Sequence, residues 1–302
     1  MLYRDQTNSV TVAAPAKLNL FLKVLGKRTD GYHELETLMV SVGLYDTLQV
    51  TLDPAGTLSL ECHDAGLMRP NTPPRELPPV DGNNLVLKAA DLLRRSTGTS
   101  LGARLALTKR IPMAAGLAGG SSDAAAALVG LNRLWRLNLS PTDLHSLAAQ
   151  LGSDVPFFLT SSAAAICRGR GEIVEPRPMP LRLHFVIARP QTGLSTAEVF
   201  RRCQPSQIGW SATDIAEACD RGRIDHAVRY LHNALQEPAE RLNPEVTTLR
   251  RWFSREPFVG HLMSGSGTSY FGLCRSRSQA LQLAARLRAT RLGDVFVARS
   301  RP

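Results

Sequence analysis

The order of strand-like and helix-like periodicities along the chain predicts an α+β fold. Apolar residues alternate early, with Leu18, Leu20 and Leu22 inside a β-rich stretch at 10–24. Apolar stripes at helical spacing follow, as at Leu85, Ala89, Leu92 and Leu93. The second half then runs strand, helices, strand, strand, helix, strand, the order of helices set on one face of a mostly antiparallel sheet. A chain of 302 residues is long enough for two domains, and the division is expected near residue 165, giving 1–165 and 166–302.

Taken in order, short strands are expected around 47–52 and 57–62. Pro70, Pro73, Pro74, Pro78 and Pro79 crowd the stretch 64–83, which reads as a surface loop because proline removes backbone donors and fixes φ. A helix is expected at 84–97, then a strand through Leu101, Ala103, Leu105 and Leu107 that ends near Pro112. Residues 114–122 form a loop of small residues, and an alanine-rich helix runs from Asp123 to about Trp135. Ser140 as N-cap, Pro141 as first helical residue and Asp143 in the first turn start another helix. It stops at Gly152, and Ser153, Asp154, Val155 and Pro156 follow as a loop. Farther on, a strand is expected at 183–189 and helices at 196–203, 211–221 and 225–237. Asn243-Pro244-Glu245 opens a further helix. Residues 258–263 and 269–274 read as a strand pair around a glycine turn, 278–290 as a helix and 294–299 as a last strand.

Composition narrows the function classes. With 43% hydrophobic and 21% charged residues the chain can bury a core. The five cysteines are scattered and none sits in a CxxC pair, which reads as reduced thiols in a cytoplasmic protein. No apolar run approaches the roughly 20 residues a bilayer span needs, and residues 1–9 lack the apolar core of a signal peptide. A soluble protein with no membrane partner is therefore expected. The net charge of +10 admits nucleic acid, a membrane surface or anionic small molecules as partners. Arg94, Arg95, Arg201, Arg202, Arg250 and Arg251 are spread over helical stretches, and aromatics are only 6% of the chain. A dispersed basic surface, without a nucleic-acid partner, is the reading. The seven histidines form no HxxH or HExxH pattern, so no metal site built by the protein alone is expected.

Chemistry concentrates in Pro112, Met113, Ala114, Ala115, Gly116, Leu117, Ala118, Gly119, Gly120, Ser121 and Ser122, between an expected strand and an expected helix. Small residues let backbone N–H groups approach phosphate oxygens. The helix N-terminus offers unpaired donors and the positive end of its dipole. Ser121 and Ser122 add hydroxyls for phosphate or Mg²⁺. No Gly-Lys-Ser/Thr follows, so this is not a Walker A loop. The same composition also suits a flexible loop ahead of a core helix.

This stretch resembles the ATP-binding motif P-x-G-x-G-L-x-G-G-S-S of the galactokinase, homoserine kinase, mevalonate kinase and phosphomevalonate kinase (GHMP) superfamily. Ala14-Pro15-Ala16-Lys17-Leu18-Asn19-Leu20 and the segment from Met263 to Gly272 are similar to two further motifs of that superfamily. Residues 17–22, 28–35 and 152–158 resemble one branch, the 4-diphosphocytidyl-2-C-methyl-D-erythritol kinases, and the Asp30-Gly31-Tyr32-His33 box sets that branch apart. The resemblance spans 14–272. It implies a two-domain GHMP-kinase fold, with an N-terminal ribosomal-protein-S5-like α/β domain and a C-terminal ferredoxin-like α+β domain. It also implies ATP as phosphoryl donor, Mg²⁺ arriving with ATP, and a small-molecule substrate that carries a cytidine diphosphate group. The expected assembly is a monomer or weak homodimer. Ala114, Ala115 and Ala118 stand where glycine is common, which a negative φ at each would accommodate.

Roles follow from the resemblance. Asp154 is implied as the base for the attacking hydroxyl, and Lys17 as a contact of both the acid and that hydroxyl. Asn19 is implied to contact the methylerythritol portion. Tyr32 stacks on the cytosine and His33 hydrogen-bonds it, while Thr196 hydrogen-bonds and Phe200 stacks. Gly265 and Ser266 line the cleft near the phosphates or the reacting hydroxyl. By chemistry alone, Lys17 needs a partner among its apolar neighbours, and a short Lys17–Asp154 pair would keep Asp154 ionised at neutral pH. Asp154 reads equally as a cap aspartate, Tyr32 and His33 as surface aromatics, Phe200 as core, and Gly265-Ser266-Gly267 as a plain hairpin turn. Two rival functions stand beside the main one: a GHMP kinase for mevalonate, homoserine or a sugar, and a basic binding protein on the same fold without turnover.

Overall fold

A computed structural model describes residues 1–65, 76–160 and 162–301. Pro70, Pro73 and Pro74 lie outside the described residues, while Pro78 and Pro79 sit in irregular backbone ahead of the first helix. The chain forms two compact units, each assembled from several segments. The first comprises 1–16, 44–113 and 118–161; the second comprises 17–43, 114–117 and 162–302.

The first unit holds β1 (Leu2–Asp5), the start of β2 (Ser9–Lys27), the end of β3 (His33–Asp53), β4 (Leu58–Asp64), α1 (Leu85–Thr97), β5 (Gly102–Lys109), α2 (Gly119–Leu134), α3 (Pro141–Leu151) and α4 (Val155–Leu159). β1 was not expected from the polar N-terminal residues; it pairs antiparallel with β2 from Leu2↔Ala13 to Asp5↔Val10. β3 pairs antiparallel with β5, and β4 parallel with β5. A parallel pair needs a crossover, which α1 supplies. Asn84 caps α1 by accepting from the Val86 amide at 2.9 Å. Ser140 and Asp143 form the capping box of α3, with Pro141 in its first turn.

Two features differ from the sequence reading here. α2 begins at Gly119, four residues before Asp123, because Ala118 takes a left-handed conformation (φ 54°, ψ 34°) that turns the chain directly into the helix. Ala114 is also left-handed (φ 48°), so two of the three alanines at glycine positions do not keep a negative φ. α2 buries Ala124, Ala125, Ala126, Ala127 and Leu128, with Gly130 packed against Val50 and Val12, so it is a core helix apolar nearly all round. The second difference is α4. Asp154 precedes it and Pro156 lies in its first turn, where a missing N–H costs nothing.

The second unit adds β6 (Ala164–Gly169), β7 (Ile173–Arg177), β8 (His184–Arg189), α5 (Thr196–Arg201), α6 (Ala212–Asp220), α7 (Ile224–Ala227) with a 3₁₀ turn at Val228–Tyr230, β9 (His232–Asn233), α8 (Gln236–Leu242), α9 (Pro244–Phe253), β10 (Gly260–Met263), β11 (Tyr270–Cys274), α10 (Arg277–Ala289) and β12 (Asp294–Arg299). Its four-stranded sheet has the order β10-β11-β8-β12, and every pairing is antiparallel. Val186, Ala188, Tyr270, Cys274 and Val295 share one buried cluster with Leu249 and Phe253 of α9 and Leu283 and Leu287 of α10. The hairpin β6–β7, which pairs with β3 through β6, was not expected.

The helix expected at 225–237 is broken. β9 pairs parallel with β2 at Phe21↔His232 and Leu22↔Asn233, and the Ala234 amide donates to the Leu22 carbonyl at 2.9 Å. The Asn233 side chain donates to the carbonyls of Met263 and Gly265 at 2.8 Å each and accepts from the Leu235 amide. Asparagine competes with helical hydrogen bonding through just such contacts. A left-handed L-residue costs roughly 1–2 kcal/mol, part of which a glycine returns to the unfolded chain. Ala118→Gly should therefore raise stability by about 0.5–1 kcal/mol, seen as an upward shift of the urea midpoint.

Candidate active site

In the second unit the side chain of Lys17, on β2, is buried and tethered at two points. Its Nζ donates to Asn19 Oδ1 at 2.5 Å and to the Gly116 carbonyl at 3.0 Å. The period of two along β2 places Lys17 and Asn19 on the same side of the strand. Asn19 is held in turn, donating through Nδ2 to Thr37 Oγ1 at 2.8 Å while Thr37 donates to the Phe21 carbonyl. A buried ammonium is costly unless its hydrogen bonds are met, and these oxygens meet it.

The turn between β10 and β11 joins this group. Ser264 Oγ donates to the Gly116 carbonyl at 2.9 Å and accepts from the Asn19 amide at 3.3 Å. The Ser269 amide donates to the Ala115 carbonyl at 3.1 Å. Gly116 has φ 71°, and a Cβ there would lie 2.1 Å from the Ser264 carbonyl oxygen. A Cβ on Gly265 (φ 56°) would lie 2.9 Å from Lys17 Nζ. Gly116 therefore leaves no room for a side chain, and a side chain on Gly265 would strain a left-handed backbone and displace the Lys17 ammonium. Ser266 is buried, with its hydroxyl 2.8 Å from Thr196 Oγ1 at the start of α5. Asn233, which the sequence reading missed, holds the carbonyls on both sides of Ser264. The available signal was an asparagine inside an otherwise helical pattern.

A second group in the same unit is aromatic. The Asp30-Gly31 turn is closed by the Arg28 amide donating to the Tyr32 carbonyl at 2.8 Å, with Gly31 at φ 85°. Asp30 Oδ1 accepts from the Tyr32 amide at 3.0 Å. This turn presents Tyr32, which is 52% exposed, and His33 at the start of β3. The His33 ring stacks on Phe200 of α5, with centroids 5.1 Å apart and planes 30° apart. Phe200 also packs against the core cluster, so core and platform are not exclusive for it. The Arg170 guanidinium lies over the Tyr32 ring, 4.7 Å from its centroid. Burial first, and then the charge of Lys27, hold the His33 pKa below its ordinary 6.5. The imidazole is therefore neutral at pH 7 and offers one donor and one acceptor.

The residues of loop 112–118 divide between the two units: Pro112, Met113 and Ala118 belong to the first, and Ala114, Ala115, Gly116 and Leu117 to the second. In the first unit Gly119, Gly120, Ser121 and Ser122 form the opening turn of α2, where the helix leaves the amides of the first three unpaired while the Ser122 amide donates to the Ala118 carbonyl at 3.0 Å. Ser122 Oγ is buried and has no hydrogen-bond partner among the described residues. A buried hydroxyl with unspent capacity at a helix N-terminus fits a phosphate oxygen or a phosphate-bound cation. Among the described residues no group of three or more His, Cys, Asp or Glu side chains could hold a metal alone. Asp154 stands at the N-terminus of α4 without capping it through its side chain.

Comparison with known proteins follows this geometry. The family model for the GHMP kinases N terminal domain matches residues 84–162, and that for the GHMP kinases C terminal region matches 215–291. The 4-diphosphocytidyl-2-C-methyl-D-erythritol kinase of Pelotomaculum thermopropionicum is 44% identical over 284 residues, 93% of this chain and 94% of the relative. A crystal structure of 4-(cytidine 5'-diphospho)-2C-methyl-D-erythritol kinase, 36% identical, aligns with a TM-score of 0.78 over 97% of this chain and 100% of that one. Homoserine kinase from Cytophaga hutchinsonii, 19% identical, shares the fold with a TM-score of 0.74, covering 99% of this chain and 96% of its own. Gly116→Ala should force the Ser264 turn away from Lys17 and lower kcat about 100-fold or more, measured by steady-state kinetics on folded protein.

Proposed function

Because the chain belongs to the 4-diphosphocytidyl-2-C-methyl-D-erythritol kinases of the GHMP superfamily, we propose that it transfers the γ-phosphoryl group of ATP to the 2-hydroxyl of 4-diphosphocytidyl-2-C-methyl-D-erythritol. The products are ADP and the 2-phosphate, in the non-mevalonate route to isoprenoid precursors. The observation that carries this reading is the buried, doubly tethered ammonium of Lys17. A fixed cation contributes most where negative charge develops during reaction, because it needs no reorganisation at that moment. Phosphoryl transfer asks for this kind of positioning and charge stabilisation more than for covalent help.

Asp154 takes the proton of the attacking hydroxyl as general base, and Lys17 steadies the charge on the transferred group. Asn19 orients the methylerythritol portion. Tyr32 and Phe200 stack on the cytosine, and neutral His33 uses its donor and acceptor on the edge of the base. Thr196 and Ser266, already hydrogen-bonded to each other, line the polyol side together with Gly265. Residues 112–122 supply backbone donors to the ATP phosphates. Ser121 or Ser122 would hold Mg²⁺ together with phosphate oxygens, and Mg²⁺ bound there neutralises phosphate charge.

We assign residues 1–165 to nucleotide binding and the base, and 166–302 to the remainder of the substrate site; the two family models fall on either side of residue 165. Among the described residues no helix is long and apolar enough to cross a membrane. We assign the enzyme to the cytoplasm, as a monomer or weak homodimer without a nucleic-acid partner. A coupled ADP-release assay tests the reading. Turnover is expected with the cytidylyl substrate and not with mevalonate or homoserine, and Asp154→Asn should lower kcat about 100-fold or more. Equal turnover of mevalonate would overturn the assignment.

A further inference from the structure

The first unit contains three buried ionisable side chains that the proposed mechanism leaves unused. Lys109 ends β5, Asp46 lies in β3 and Asp123 is the fifth residue of α2, directly after its first turn. Their side chains are 7%, 0% and 4% exposed. Lys109 Nζ donates to Asp46 Oδ2 and, at 2.6 Å, to Asp123 Oδ2. The other oxygen of Asp46 accepts from the amides of Arg110 at 2.5 Å and Ile111 at 2.8 Å.

These contacts fasten both roots of the glycine loop in the first unit. Asp46 fixes the two residues that leave β5, Asp123 directly follows the turn that opens α2, and one ammonium joins the two carboxyl groups. A Cβ on Gly119 would meet Ile111 Cγ2 at 2.9 Å and Lys109 Nζ at 3.3 Å. The start of α2 is thus seated directly on the ammonium, with glycine as the spacer. Burial, the largest cause, pushes the Asp123 carboxyl up to about 8, with Lys109 opposing the rise. Burial also works against the Lys109 charge, yet the attraction of Asp123 and Asp46 outweighs it and moves the lysine upward. The ammonium is therefore retained, and its removal leaves two buried carboxyl groups facing each other without their shared donor.

We propose that Lys109, Asp46 and Asp123 are positioning residues for ATP. Together they set the spacing of Ile111 from Gly119, and with it the aim of the α2 amides and of the unpartnered Ser122 hydroxyl. This rests on reading residues 112–122 as the ATP-phosphate loop. A cluster serving stability alone would lower the melting temperature without favouring one substrate. A positioning cluster shifts the KM for ATP selectively, because a displacement of about 1 Å can cost about 100-fold.

The test uses the full chain with Lys109→Met, Asp46→Asn and Gly119→Val, measuring KM for ATP, KM for the cytidylyl substrate, kcat and melting temperature. Lys109→Met and Asp46→Asn should each raise the KM for ATP about 10-fold or more, with the KM for the cytidylyl substrate changed by no more than about twofold. Should Lys109→Met fail to fold, Asp46→Asn decides the matter alone, since its amide oxygen still accepts from the two backbone amides. Gly119→Val separates the two ideas. If it raises the KM for ATP while the folded cluster variants leave it at the wild-type value, the positioning proposal is overturned and the loop reading survives. If Gly119→Val leaves the KM for ATP unchanged, the loop reading itself falls, and the proposal falls with it.

Discussion

Two donors converge on the carbonyl oxygen of Gly116, and the geometry of the second unit's site depends on that meeting. Lys17 reaches it from β2 and Ser264 from the turn between β10 and β11. The carbonyl is accessible to both because Gly116 adopts φ 71° and has no side chain to push the Ser264 backbone away. Gly265 does the same for Lys17 from the other side. Asn233 completes the arrangement by holding the carbonyls that flank Ser264, and the short pairing of β9 with β2 brings it there. A charge held in this way is expensive to bury and cheap to use, since its desolvation is met during folding.

The rest of the electrostatics has a different character. Arginines on helices pair with glutamates one turn away, as Arg202 does with Glu198 at 3.1 Å and Arg221 with Glu217 at 2.9 Å. Such exposed pairs contribute a few tenths of a kcal/mol each. Each such pair is neutral, so the net charge of +10 comes from the basic residues in excess of these pairs. The buried lysines 17 and 109 instead meet fixed oxygens, and their neighbours are the loop and helix start that the sequence singled out.

Much of the fold could be read from the sequence because local signals and tertiary structure agree there. The Ser140-Pro141 start of α3, the Asn243-Pro244 start of α9 and the strand pair around Gly265 to Gly267 all have their chemistry written nearby. Where long-range contacts decide, the sequence said less. The run 225–237 has helical composition, but Asn233 finds better partners in Met263 and Gly265, thirty or more residues away. β6 and β7 are short, and Pro176 lies within β7, so neither announces itself. Ala114 and Ala118 take left-handed backbones that nothing in their own chemistry favours. In the site, Lys17, Asn19, Tyr32 and His33 were found through motif resemblance, because isolated polar residues on strands have no other signature. Asn233, Asp46 and Lys109 belong to none of the motifs, and only the three-dimensional contacts expose them.

The claim at the centre of this account is that the ammonium of Lys17, fixed against Gly116, accelerates transfer of the phosphoryl group. Single-turnover transfer from ATP to the cytidylyl substrate, with both saturating, tests it in Lys17→Met, whose side chain keeps the length and loses the charge. The account predicts a rate about 100-fold to 1,000-fold below wild type, with both substrates still bound. A rate within about threefold of wild type would contradict it.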